Sequence, residues 1–299
     1  MKKVLIVGCG DIARRCLPWL ARRFRLRAVV RAEHADRAAL TALQAAGGLA
    51  LAADLDQPAS LRRLAGVGDA VIYLAPPASS GEGDPRLQRF LAVLASGRTL
   101  PQRLVYVGTT GVYGDCAGAR VSETRPLAAR TPRACRRQAA EALLRDFGRR
   151  SGVVVTVLRA PGIYAGDRLP RERLHRGDPV LSAADDVYTN HIHADDLARL
   201  VCLALFRGRP GRAYNASDDS GLKMGEYFDL LADATGLPRP PRLARAVIAE
   251  RLSPLSLSFM EESRQLDNRR LKDEFRIRLR YPTVADALAA PFQPSGENH

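Results

Sequence analysis

The chain has 299 residues, 46% hydrophobic and 26% charged, which supports a large folded core and excludes a disordered or fibrous protein. Its apolar runs fall short of the roughly 18 residues that a membrane helix needs, so no membrane span and a cytoplasmic location are expected. The net charge of +14 invites a nucleic-acid reading, but 42 of the 46 basic residues are arginines scattered from Arg14 to Arg280, with no recognition motif, and no specific nucleic-acid binding is expected.

In chain order, KVLIVG (3–8) is a short apolar run ending in glycine, followed by a helical stretch over 11–23. LRAVVR (26–31) reads as a second strand, 35–46 as an alanine-rich helix and LALAADL (49–55) as a third strand. DAVIYLA (69–75), RLVYVG (103–108) and VVVTVLRAP (153–161) continue the series, with helices between them. These are continuous apolar runs, the pattern of strands buried on both faces, and strand–helix alternation with short links predicts a doubly wound parallel sheet. Beyond residue 165 the pattern loosens. RLPRERLHRGDPV (168–180) is loop-like, 194–207 and 225–236 are helical, RAYNAS (212–217) is a strand, and PRPPR (238–242) is a linker or rigid turn. The last third reads as helical and polar, ending in a frayed tail at 293–299. The expected fold is α/β: a Rossmann-type sheet domain over 1–165, rejoined by about 185–217, with a smaller, mostly helical lobe within 166–299.

VGCGDIA places Gly8, Gly10 and Ala13 at GxGxxA between a strand and a helix. The first glycine permits the tight turn, the second lets the backbone approach a pyrophosphate, and Ala13 lets helix and strand pack closely. With Asp11 and Ile12, this helix start offers free N–H groups to the cofactor's phosphates, and Asp11 is also read as the helix cap. At the end of the second strand an acidic residue would hold a ribose 2′-OH, whereas an arginine accommodates a 2′-phosphate. Arg31 stands there, with Arg14, Arg15 and Arg37 near in sequence and Glu33 as an acidic rival two residues later. The expected cofactor is therefore NADP, with NAD the alternative. The five cysteines show no metal-like spacing and read as reduced thiols. No metal site is expected.

Together these motifs resemble the extended short-chain dehydrogenases/reductases, the NAD-dependent epimerase/dehydratases. The resemblance rests on VGCGDIA, on Asp54-Leu55, on Leu74-Ala75-Pro76, on VGTTGVYGD (107–115), on LRAPGIYAGD (158–167) and on NHIHADDLA (190–198). YNAS (214–217) and ESRQLDNRRLKDEF (262–275) are similar to an atypical branch. The resemblance implies that Asp54 and Leu55 contact adenine and that Leu74, Ala75 and Pro76, with Pro161, line the middle of the cofactor. It also implies a Ser/Thr followed by Tyr-x-x-x-Lys. Thr109 matches the Ser/Thr, but with Glu141 set against the family's glutamate, Arg133 and Arg137 fall where Tyr and Lys are expected.

The helix itself can be read independently. Ala140, Leu143, Leu144 and Phe147 form an apolar stripe at 3.6 residues per turn, and Arg133, Arg136 and Arg137 share it. Gln138, Arg145, Asp146 and Arg149 fall opposite. Arg133 and Arg137 are thus expected to face the ligand cleft. A guanidinium stays protonated, so Arg137 is read as a ribose or phosphate ligand and Arg133 as a clamp for an anionic substrate or a group that polarises a carbonyl oxygen. A proton donor must come from elsewhere. Tyr113 is the first candidate, ahead of Tyr164, His191, His193 and Asp195, of which Asp195 is also read as a helix cap. Asp185-Asp186 reads as an exposed turn. The expected protein is an NADP-dependent oxidoreductase or epimerase acting on a polar carbonyl, alcohol or sugar-type substrate. The alternative is a non-catalytic NADP(H)-binding sensor. The sequence leaves monomer and homodimer open.

Overall fold

A computed structural model of the chain describes residues 1–31, 36–252, 257–258 and 260–290. Glu33 and the polar tail at 293–299 lie outside the described residues. In order come β1 (Lys3–Val7), α1 (Asp11–Leu20), β2 (Arg25–Val30), α2 (Arg37–Ala45), β3 (Leu49–Ala52) and α3 (Pro58–Leu61). β4 (Ala70–Tyr73), α4 (Pro85–Ser96), β5 (Arg103–Thr109), β6 (Arg120–Val121), α5 (Pro132–Ser151) and β7 (Val154–Ala160) complete the first half. Then follow β8 (Gly162–Tyr164), α6 (Arg171–His175), β9 (Val180–Leu181), β10 (His191–His193), α7 (Ala194–Arg207), β11 (Arg212–Asn215) and α8 (Met224–Thr235). β12 (Arg242–Leu243), α9 (Arg245–Arg251), β13 (Gln265–Leu266), α10 (Arg269–Phe275) and α11 (Val284–Ala289) close the described chain.

Seven strands form one parallel sheet in the order β11-β7-β5-β4-β1-β2-β3. Side chains alternate across it. Val4, Ile6, Ala28, Ile72, Val105 and Leu158 point into a core shared with α1, α7 and α10. Leu5, Val7, Val71, Tyr73, Leu104 and Tyr106 point into the opposite core, against α3, α4 and α5. Helices on both faces explain why the central strands read as unbroken apolar runs. β3 departs from that reading: it is an edge strand, and Leu49 is 55% exposed. A third core, around Tyr227, Phe228, Leu231 and Ile248, belongs to the smaller lobe. The architecture is a Rossmann-like α/β fold with a helical C-terminal part.

Three short parallel pairs (β8–β10, β9–β12 and β6–β13) escaped the sequence reading, since two- or three-residue strands carry no periodicity. The first places His191 beside Gly162. The arginine-rich loop holds α6, and Arg242 of the proline-rich stretch pairs with Val180. Asp186 is not exposed. Its side chain is 2% accessible and accepts from the Gly225 N–H at 3.1 Å. Among the described residues no helix is long and apolar enough to cross a membrane, and no cluster of His, Cys, Asp or Glu is arranged for a metal ion.

Candidate active site

A cleft of about 1300 Å³ opens at the carboxyl ends of the strands. Gly8 follows β1, Arg31 follows β2, Asp54 and Leu55 follow β3, Leu74, Ala75 and Pro76 follow β4, Thr109 ends β5, and Pro161 follows β7; all line it. Such crevices are where open α/β sheets take their ligands. Gly10, Asp11, Ile12, Ala13, Arg133 and Arg137 line it too.

The glycine loop fits a pyrophosphate on its own geometry. Gly8 has φ +98°, and a Cβ there would sit 2.5 Å from the Ala75 backbone nitrogen, so only glycine fits. A Cβ on Gly10 would meet nothing within 4 Å; its missing side chain leaves open space at the start of α1. That open backbone, at the positive end of a helix, is what an anion requires. Asp11 does not cap α1. It is the first helical residue, after Gly10. Its carboxylate lies 2.9 Å from Arg15 and 2.8 Å from Arg168. Burial alone would raise the Asp11 pKa, but these guanidiniums hold it below the usual carboxylate range. Arg14 and Arg15 are engaged with Asp11 and Asp167, and neither they nor Arg37 line the cleft. Arg31 stands exposed at the rim. Asp36, missed from sequence, shares that rim and caps α2 by accepting from the Ala39 N–H at 3.1 Å.

The arginine helix starts where Thr131 caps it and Pro132 opens it, and it ends at left-handed Gly152. Ala140, Leu144 and Phe147 are buried, while Arg145 and Arg149 are 60% and 80% accessible, as helical periodicity predicts. Arg137 Nη1 donates to the Val107 carbonyl at 3.0 Å and to the Tyr106 hydroxyl at 3.1 Å, which anchors it on β5 beside the cleft. Arg136 is buried and reaches the Gly81 carbonyl at 3.4 Å. Thr109 Oγ1 accepts from the Gly111 N–H at 3.2 Å, leaving its own proton to donate.

Tyr113 is not a proton donor to this cleft, which it does not line. Its hydroxyl is buried between Asn215 Oδ1 at 2.7 Å and Arg159 Nη1 at 2.7 Å. Burial, against the pull of Arg159, pushes its pKa up to about 12. The other candidates sort by geometry. Tyr164 donates to the Thr283 carbonyl and packs in the core around Tyr227 and Phe228. His193, not Asp195, caps α7, its Nδ1 accepting from the Asp195 N–H at 3.2 Å, while Asp195 pairs with Arg15 at 2.6 Å. Of the five, only His191 lines the cleft. Burial drives its pKa down to about 3, so the ring is neutral at physiological pH.

Residues beyond position 166 supply a wall that the sequence reading did not assign: Arg173, Tyr188, Asn190, Tyr227, Glu262 and Arg264. Eight arginines face four carboxylates around the cleft among the described residues.

Fold and cleft together define a doubly wound protein of the dinucleotide-binding type. A sequence profile of the NAD-dependent epimerase/dehydratase family matches residues 18–217, and the chain belongs to that family. No curated protein matches it. Among solved structures, it is similar to a conserved protein of unknown function from Silicibacter pomeroyi, with 27% identity, a TM-score of 0.77, and 96% of this chain and 97% of that one covered. A dTDP-glucose 4,6-dehydratase from Streptomyces venezuelae, solved with NAD, is 22% identical with a TM-score of 0.76, over 96% of this chain and 94% of that one. A UDP-glucuronic acid 4-epimerase from Bacillus cereus, also in complex with NAD, is 15% identical with a TM-score of 0.74, over 97% of both chains.

Proposed function

We propose that the chain is an NADP(H)-linked oxidoreductase or epimerase acting on a polar, anionic carbonyl or alcohol. One observation carries this reading: the Gly8–Gly10 cradle opens into the same cleft as Thr109 and the anchored Arg137. The NAD held by the Streptomyces and Bacillus proteins supports a nicotinamide dinucleotide in this position. Residues 1–165, with 185–217, would form the cofactor domain and the rest of 166–299 the substrate lobe.

When bound, the dinucleotide would supply or accept a hydride. Gly8, Gly10, Ile12 and Ala13 would hold its pyrophosphate against the start of α1. Asp54 and Leu55 would meet the adenine, and Leu74, Ala75, Pro76 and Pro161 its middle. Arg137 would hold the ribose, Thr109 would donate to a substrate oxygen, and Arg133 would neutralise an anionic group. Neither arginine can exchange a proton near neutral pH. A cytoplasmic location and a monomeric or homodimeric state belong to the same reading.

NADPH carrying deuterium at the nicotinamide C4, incubated with the protein and a small-molecule cell extract, should yield a metabolite one deuterium heavier. Thr109→Ala should lose that product. A second reading, a cofactor-binding sensor without chemistry, is favoured by the arginine at the tyrosine position; intact NADPH binding with neither a labelled nor an isomerised metabolite in the extract would establish it. Arg31→Ala should weaken NADPH binding roughly tenfold or more, the scale of one lost charge-assisted contact, and leave NADH binding unchanged. Loss of NADH binding on Asp36→Ala, with Arg31→Ala silent, would reverse the cofactor preference.

A further inference from the structure

Three residues lining the cleft each carry a buried polar atom without a partner: Glu262 Oε1, Arg264 Nε and His191 Nδ1. Their placement is fixed by the chain. Asn190 Nδ2 donates to the Arg264 carbonyl at 2.9 Å, and its Oδ1 accepts from the Leu266 N–H at 2.9 Å, so the residue before His191 is clamped to the backbone carrying Arg264. Arg264 Nη1 donates to the Gly114 carbonyl at 2.6 Å and to Glu262 Oε2 at 2.7 Å, which ties the pair to the turn that begins after Thr109. The His191 ring, 5% exposed, stacks on Tyr227 with centroids 3.9 Å apart. A buried polar atom left unsatisfied costs about 1–3 kcal/mol, and folded proteins leave few. Three such residues around one cleft favour a ligand that engages them.

The three atoms specify its chemistry. With Nη1 engaged, the Nε edge of Arg264 remains, and that edge suits a two-oxygen anion. The Glu262 carboxylate, paired with Arg264, offers acceptors, so Oε1 needs a hydroxyl or N–H donor beside the anion. Neutral His191 pairs with a further hydroxyl or carbonyl oxygen. Glu262 does not repel the anion, because Arg264 neutralises it and arginines outnumber carboxylates around the cleft. We propose that Glu262, Arg264 and His191 form the substrate subsite, and that it takes a carboxylate or phosphate bearing a hydroxyl on a neighbouring carbon, with no nucleotide required. The inference rests on reading the glycine-loop half of the cleft as the cofactor site.

The test is calorimetric titration of the cofactor-free protein with D-glycerate, propionate, glycerol 3-phosphate, inorganic phosphate and glycerol. Either D-glycerate should bind at least tenfold more tightly than propionate and glycerol, or glycerol 3-phosphate more tightly than inorganic phosphate and glycerol; whichever pair separates identifies the anion. Arg264→Gln should lose binding of hydroxylated and plain anions alike. Glu262→Ala should keep the plain anion and erase the preference for its hydroxylated partner. NADPH titration, unchanged in both variants, checks that they fold. Wild-type protein that binds NADPH but none of the probes, or variants that retain the full preference, would overturn the subsite and leave the cofactor reading standing. Probe binding without NADPH binding would have the opposite meaning.

Discussion

Gly10→Ala is expected to abolish high-affinity dinucleotide binding while leaving the fold intact. Gly10 sits at φ −115° and ψ −156°, an extended conformation open to alanine, and its added Cβ would meet no protein atom within 4 Å. The stability change should stay below about 1 kcal/mol, the scale of an N-cap exchange. The same methyl would occupy the space through which a pyrophosphate approaches the loop. Affinity should fall roughly hundredfold, two tenfold steps of about 1.4 kcal/mol each. Gly8→Ala should behave differently. Its φ of +98° and the 2.5 Å approach to the Ala75 nitrogen place both strain and a backbone clash in the folded state. That strain should cost about 1–3 kcal/mol in urea unfolding before any cofactor is added. Tight NADPH binding by a stable Gly10→Ala protein, followed by fluorescence titration, would show that the loop is a turn and not a cradle.

The contrast between these glycines follows from what a sequence can carry. The proposed cofactor half of the cleft is written in contiguous motifs at strand ends, so hydrophobic runs and glycine spacing locate it. Helical periodicity likewise separates the exposed Arg145 and Arg149 from the buried Arg136. The proposed substrate half is assembled at long range. Arg264 meets Gly114 across 150 positions, and nothing local in ESRQLD announces it. Tyr113 misleads for the same reason: its partners lie 102 positions away at Asn215 and 46 away at Arg159. Asp11 and Asp195 resemble caps because an acidic residue in the first turn of a helix looks, in sequence, like the cap that precedes it. Only the fold shows Asp11 bound by arginines and His193 in the capping position.

The partners that remove Tyr113 from the chemistry give it a structural role, with a large effect on stability. Arg159, on β7, pairs with Glu141, on α5, at 2.9 and 2.7 Å, and the two side chains are 3% and 1% accessible. The third guanidinium nitrogen holds Tyr113, which passes the connection to Asn215 on β11. Arg159→Met should therefore cost about 3–5 kcal/mol, because it leaves the Glu141 carboxylate buried with, among the described residues, just the 3.9 Å ion pair to Arg145. Glu141→Leu combined with Arg159→Met should recover most of that loss, since no uncompensated charge remains. Glu141 lies one helical turn beyond Arg137, so the pair also fixes how α5 presents its arginines to the cleft. The double variant should then fold stably yet bind NADPH more weakly than wild type. Urea unfolding and cofactor titration of the four proteins in the cycle separate the two effects. Equal instability of the single and double variants would place the energy in the Tyr113–Asn215 connection and not in the ion pair.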